Sequence, residues 1–347
     1  MNTRGYSSYH GRGSGRRSGG GKGVWAIVVC VLVLLAAAAY LLAQRYLVYD
    51  EDGTVRWELP FDKAPEEPQP PENPISPEDV VIEREEPEPA APVRRAMPEL
   101  RAQELEIGVL WWDPDYVLSE WEGDLVVEIK SADGGLRYGA SVSVPGNVVV
   151  ERGATEENLR ALLSAGRYTV ARVHCFRDSA YTRGDNSAAL QSKDGEVWYD
   201  GEGESWLDPG GPAALAYLTA LCRELGELGF KEILLDDFCY PSTGDTASID
   251  LPADADKTAI LADFAAAIRK AVPETTALGV AIHAPVGETA GADGLTAALV
   301  YGSFDRIYAD SGVDVSSLTS LEGFKPDTEL ALLTYSEPDH GSFVLLN

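Results

Sequence analysis

Two adjacent carboxylates, Asp236 and Asp237, end the apolar run Ile233, Leu234 and Leu235 in the stretch GFKEILLDDFCYP, residues 229 to 241. An apolar run of this length after a helix-like segment reads as a buried strand of a parallel sheet. In α/β folds the C-terminal edge of such strands is where active sites are built. Side chains alternate along a strand, so only one of the two acids faces inward. The plain alternative is that both simply bond loop amides. Other strand ends add Lys130, Arg172, His174, Asp178, His283 and Asp310, and the loop from Arg177 to Pro209 adds Trp198, Tyr199, Trp206 and Asp208. Tyr240 follows the paired acids. Carboxylates mixed with Trp and Tyr suit a glycan, because rings stack on the C–H faces of sugars and carboxylates accept hydrogen bonds from hydroxyls. Two properly spaced carboxyls can cleave a glycosidic bond.

Arg172 is the most telling of these residues. A charge inside the apolar strand RYTVARVHCF needs a buried anionic partner, and a strand-end aspartate such as Asp236 supplies one. His174 and His283 have no third ligand at metal spacing and read as hydrogen-bonded polar residues, so neither a metal nor a cofactor is expected. Trp198 and Trp206 are as open to a core role as to a binding role. Of the four cysteines, Cys30 lies in a long apolar segment, leaving Cys175, Cys222 and Cys239. They form no disulfide framework and no zinc spacing. A Cys175–Cys239 bridge and three free thiols both remain open.

Seven segments can position these groups. They are EIGVLWW (106–112), DLVVEIK (124–130), RYTVARVHCF (167–176), KEILLDD (231–237), ALGVAIHA (277–284), FDRIYAD (304–310) and ELALLTY (329–335). Between them lie helical patterns. PAALAYLTALCRELGEL opens on Pro212, stops at Gly229 and carries a Leu218, Leu221, Leu225 stripe. ADKTAILADFAAAIRKAV places Ile260, Phe264 and Ile268 on one face, and TEENLRALLSAG repeats the pattern. Such alternation over residues 104–347 predicts an α/β domain, a (β/α)8 TIM-like barrel. Only SEPDHG separates ELALLTY from the last strand-like piece, SFVLLN, whereas parallel strands need a crossover of a dozen or more residues. The last strand is therefore expected to be antiparallel or outside the barrel, leaving the barrel incomplete or irregular at its C-terminal end.

The remainder of the chain is of different character. Residues 1–23 are Gly/Ser-rich and hold five cations and no acid, whereas the whole chain carries 28 Lys+Arg against 56 Asp+Glu, a formal net charge of −28. So acidic a body repels nucleic acid. Val24 to Ala43 contains no charge and is long enough to span a bilayer as one helix. Its flanking charges place residues 1–23 in the cytoplasm and the rest outside. Residues 44–103 begin with a short candidate hairpin around Asp52-Gly53 and continue into a Pro/Glu-rich stretch. That stretch cannot pack a core and reads as a disordered, extended linker. Nothing in the sequence sets an oligomeric state.

The stretch from about 105 to 245 resembles a family of glycoside hydrolase domains found in exported bacterial proteins, a barrel family distantly similar to the α-amylase group. Its pattern VIDVKDDxGxxxY is matched by VVEIKSADGGLRY (126–138), ARxxxFKD by ARVHCFRD (171–178) and WxDP by WLDP (206–209). The strongest match is GFDEIQFDYIRFP to GFKEILLDDFCYP (229–241). The resemblance implies that Asp236 is the nucleophile or the electrostatic stabiliser, and that Arg172, Lys130 and Asp208 form the site. Two positions depart from the pattern: Cys239 replaces the family's arginine, and His283 stands where the fifth strand usually ends in an acid. The expected site thus has Asp236 and Asp310 as catalytic carboxyls. Arg172, Lys130, Asp178, Trp206, Asp208, Asp237, Tyr240 and His283 are expected to contact substrate. The expected activity is hydrolysis of a cell-envelope or extracellular polysaccharide by a membrane-anchored domain. A glycan-binding relative without catalysis and an envelope scaffold are the alternatives.

Overall fold

The computed structural model describes residues 94–105, 111, 113–151 and 153–346, with the backbone of two short antiparallel strands, Leu47–Tyr49 and Val55–Trp57. The expected span at 24–43, the head before it and most of the linker lie outside the described residues. Among the described residues no helix is long and apolar enough to cross a membrane.

Eight strands form the domain: β1 (Arg101–Leu105), β2 (Asp124–Lys130), β3 (Thr169–His174), β4 (Glu232–Asp236), β5 (Ala277–Ile282), β6 (Arg306–Asp310), β7 (Leu330–Thr334) and β8 (Ser342–Leu345). They close a barrel in the ring order β8-β1-β2-β3-β4-β5-β6-β7. Its helices are α1 (Pro114–Glu120), α2 (Ala154–Ser164), α3 (Ser179–Gly184), α4 (Pro212–Leu228), α5 (Lys257–Ala271), α6 (Ala297–Ser303), α7 (Ser316–Thr319) and α8 (Pro326–Glu329). The longest two obey local rules. Pro212 pre-sets the first turn of α4, and Gly229, at φ 109°, ends it with its N–H on the carbonyls of Gly226 and Leu225. Asp256 caps α5 by accepting from the Ala259 N–H. Their buried faces, Leu218, Leu221 and Leu225 on α4 and Phe264 and Ile268 on α5, pack in the outer core.

A second apolar cluster fills the barrel itself, with Val126, Val170, Leu234, Ala281, Tyr308 and Ala331 among its members. Gly279 leaves room for the Tyr308 ring; a Cβ there would stand 2.6 Å from the ring edge. Below it the barrel is sealed by fully buried Glu232, which accepts from Arg306 and from the Tyr308 hydroxyl, both at 2.8 Å. The N-terminal end is therefore closed, and only the C-terminal mouth remains to hold a site.

One expectation about the strands is corrected, and another lies almost wholly outside the described residues, since of 106–112 only residue 111 is described. The first barrel strand is Arg101–Leu105. It pairs with β2 on one side and β8 on the other. The last strand is neither antiparallel nor excluded: β8 pairs in parallel with both β7 and β1, so the barrel is complete. The rule of a dozen crossover residues assumes a helix in the connection. Here the chain only has to return along a five-residue strand, roughly 17 Å at about 3.3 Å per residue. The short segment from Tyr335 to Gly341 spans that distance when extended. The irregularity lies in this helix-free crossover. Cys175, Cys222 and Cys239 are all free thiols, which excludes the Cys175–Cys239 bridge.

Candidate active site

Asp236 ends β4 with its side chain inward and no solvent exposure. Both its oxygens are occupied. The guanidinium of Arg172, on the neighbouring β3, donates to Oδ2 from Nε at 2.8 Å and from Nη2 at 2.6 Å. His283 Nε2, just beyond β5, lies 2.7 Å from Oδ1, and the Asp237 N–H donates to the same oxygen at 2.8 Å. Burial pushes the Asp236 carboxyl upward, but His174, Arg172 and His283 outweigh it and hold the group well below the usual carboxylate range. It is an ionised carboxylate at neutral pH. Arg172 reaches on to Glu104 of β1, so one guanidinium joins two inward acids.

His283 bridges two strand ends, with Nε2 on Asp236 and Nδ1 2.7 Å from Asp310 Oδ2. Its bond to Asp236 raises its pKa to about 9 against opposing burial, with Asp310 adding to the rise, so the ring is an imidazolium donating from both nitrogens. The folded value lies above the ordinary 6.5, so the stabilisation is fully present below about pH 6.5. It is lost as pH rises through about 9. His283 and Asp310 are both 43 % exposed, and solvent screening limits the effect to roughly 1 kcal/mol. Urea melts of the parent should lose that much stability between pH 6.5 and 9, and His283→Gln should show no such loss; parallel curves would place the titration elsewhere.

Asp237 also reaches the mouth, against strict alternation. It is the only non-glycine with positive φ, 48°, among the described residues. This left-handed turn swings its carboxyl back over the cavity, where Oδ2 meets His174 Nδ1 at 2.7 Å. Backbone strain of this kind costs of order 1–3 kcal/mol and is kept where surroundings enforce it. The other nitrogen of His174 lies 3.7 Å from Glu128 Oε2 and 4.0 Å from Asp236 Oδ2. Glu128, inward on β2, is raised from its ordinary value by burial, with His174, Arg172 and Arg137 opposing. Its Oε1 is buried without a hydrogen-bond partner among the described residues. Two carboxyls around one imidazole are thus pushed in opposite directions.

A cavity of about 310 Å³ opens above this floor, bounded by Asp237, His283, Arg177, Trp206, Cys239 and Asp293. Trp206 is held by its Nε1 donating to Asp200 at 3.0 Å. His174, Asp236 and Asp237 lie close enough, within 4.8 Å, to share a metal ion. However, the guanidinium and imidazolium already on Asp236 oppose a further cation there.

The structure thus brings Arg172, Asp236, Asp237, His283, Asp310 and Trp206 together. Four other expected residues sit elsewhere. Lys130 and Asp178 pair with each other at 3.0 Å without exposure, and Lys130 also donates to the His174 carbonyl at 2.6 Å. That pair fixes the end of β3 and does not face the cavity. Asp208 accepts from the Gly210 N–H at 2.9 Å. Tyr240 is buried in the outer core, its ring 4.9 Å from the Lys257 ammonium. Glu128 and Glu104 were missed. Glu128 carried the signal that marked Arg172, a charge inside an apolar strand.

Residues 123–298, half of the chain, match the family described as "putative glycosyl hydrolase domain". The chain belongs to this family. The matched stretch contains Glu128, Arg172, His174, Asp236 and His283, but not Asp310. Among solved structures, a hypothetical protein from Ruminiclostridium thermocellum is 23% identical with a TM-score of 0.42, covering 51% of this chain and 96% of that one. An α-galactosidase from Thermus thermophilus is 16% identical with a TM-score of 0.36, over 54% of this chain and 39% of the enzyme. The glycoside hydrolase domain of PelA from Pseudomonas aeruginosa is 15% identical with a TM-score of 0.36, over 62% and 68%. At these scores the likenesses say nothing of substrate. No curated protein matches the chain.

Proposed function

We propose that the barrel hydrolyses glycosidic bonds in a cell-envelope or extracellular polysaccharide, and that one helix at 24–43 anchors it to the membrane with the domain outside. One observation carries the catalytic reading: Asp236, held ionised, and Glu128, raised by burial, stand within 4.0 Å and 3.7 Å of the same His174 nitrogen. Titratable groups pushed apart in this way mark an acid and its charged counterpart. Glu128 donates the proton to the leaving oxygen. Asp236 supplies fixed negative charge beneath the oxocarbenium-like centre. Asp237, which opens onto the cavity, orients the attacking water and accepts the proton it releases as the new C–O bond forms, and Glu128 is reprotonated from solvent. Reducing-end release from a panel of bacterial polysaccharides, beside a binding measurement on the same panel, tests this. Release of reducing ends supports the hydrolase. Binding without release would favour the non-catalytic glycan binder, a reading supported by the complete burial and full hydrogen bonding of Asp236.

The anchor rests on the uncharged stretch Val24 to Ala43 and the five cations before it. Protease added to intact cells should therefore release a soluble fragment beginning in the Pro/Glu-rich segment. Digestion only after lysis would reverse the orientation.

A further inference from the structure

Beside the central cavity the mouth carries a second, open hollow of about 470 Å³, bounded by Lys193, Asp194, Trp198, Tyr199, Asp245 and Ser248. Its walls are the loops after β3 and β4, which are sewn to each other. The Lys193 N–H donates to the Ser248 carbonyl and the Asp250 N–H to the Gln191 carbonyl, both at 2.8 Å, and Trp198 Nε1 donates to the Asp245 carbonyl at 2.9 Å. The hollow is thus a built feature of the catalytic face.

The two spaces are bounded by neighbouring residues of the same two loops. Asp200 and Thr243 bound the central cavity, while Tyr199 and Asp245 bound the outer one. At the divide Gly244, at φ +83°, crosses the Asp200–Gly201 backbone so closely that a Cβ on it would lie 3.0 Å from the Gly201 nitrogen. Two glycines thus meet where the loops pass from one space to the other, a saddle to which neither contributes a side chain. Beyond it the Tyr199 ring is 52 % exposed at the edge of a polar hollow. Across the barrel, just beyond β7, Tyr335 is 80 % exposed. In the eight-strand ring β7, which precedes Tyr335, stands opposite β3, whose following loop carries Tyr199.

We propose that the outer hollow is a remote subsite for a further sugar unit of the glycan whose scissile bond lies in the central cavity, with Tyr199 as its stacking platform. The protein then cuts linear chains internally and does not trim terminal sugars. This rests on the hydrolase reading above and deepens it. An aromatic face offers a large, rigid, amphipathic contact that suits a pyranose ring.

The test uses the full chain with size-graded chitin, chitosan and cello-oligosaccharides alongside the polysaccharide panel. Tyr199→Ala should raise KM about tenfold, the equivalent of about 1.4 kcal/mol, for oligomers long enough to cross the saddle. The shortest cleavable oligomer should be unaffected. Tyr199→Phe, which keeps the ring, should behave as the parent, and all three proteins should melt alike because the ring is half exposed. A KM change equal at every length, no change at any length, or release of single terminal sugars by the parent would overturn the subsite and leave the hydrolase standing. A parent that neither binds nor cleaves any of these glycans would overturn both.

Discussion

Arg172→Ala should destabilise the domain by about 3–5 kcal/mol, because it leaves the fully buried Asp236 carboxylate without the guanidinium that grips Oδ2. The loss reaches further than one pair, since the same guanidinium holds Glu104 of the first strand. Arg172→Lys keeps a charge but not the fork that grips Oδ2 with two N–H groups, so it should be intermediate. The double variant Arg172→Ala/Asp236→Asn removes both charges. It should be more stable than Arg172→Ala alone, which isolates the interaction from simple loss of side-chain volume. Chemical denaturation of the four proteins checks this. Equal stability of parent and Arg172→Ala would mean that Asp236 is balanced by other groups.

This network shows how far the sequence could be read. The Arg172–Asp236 pair was legible because a charge in an apolar strand must find a partner, and the two strands that carry them are sequential neighbours in a parallel sheet. The helices were legible from Pro212, Gly229 and their leucine stripe. The closure of the barrel was not, because strand pairing by Ser342–Leu345 depends on a helix-free return that no propensity encodes. Asp237 was expected at the site beside Asp236, but the turn at φ 48° that overrides strand alternation to bring it there was not legible. Lys130 and Asp178 were expected at the substrate, and the structure pairs them with each other instead. Residues that hold a strand end in place and residues that build a site look alike in a motif, and only their partners separate them. His283 reads as a lone histidine until Asp236 and Asp310 are seen on its two nitrogens.

The chemistry hangs on the contrast between Glu128 and Asp236. A proton donor to a leaving oxygen contributes about 10²–10⁴-fold, and only when the leaving group needs the proton. Glu128→Gln keeps the shape and loses the proton, so kcat on polysaccharide should fall by about that factor. The alkaline limb of the pH profile should disappear with it. Asp236→Asn removes charge that matters more in the transition state than in the ground state, so turnover should fall by orders of magnitude while glycan binding persists. The decisive measurement is kcat for Glu128→Gln on two substrates with the same sugar, one the natural linkage and one an aryl glycoside whose leaving group departs without a proton. The account predicts a large loss on the first and near-parent turnover on the second, with Asp236→Asn inactive on both. Equal losses of Glu128→Gln on the two substrates, or full activity of Asp236→Asn, would contradict it.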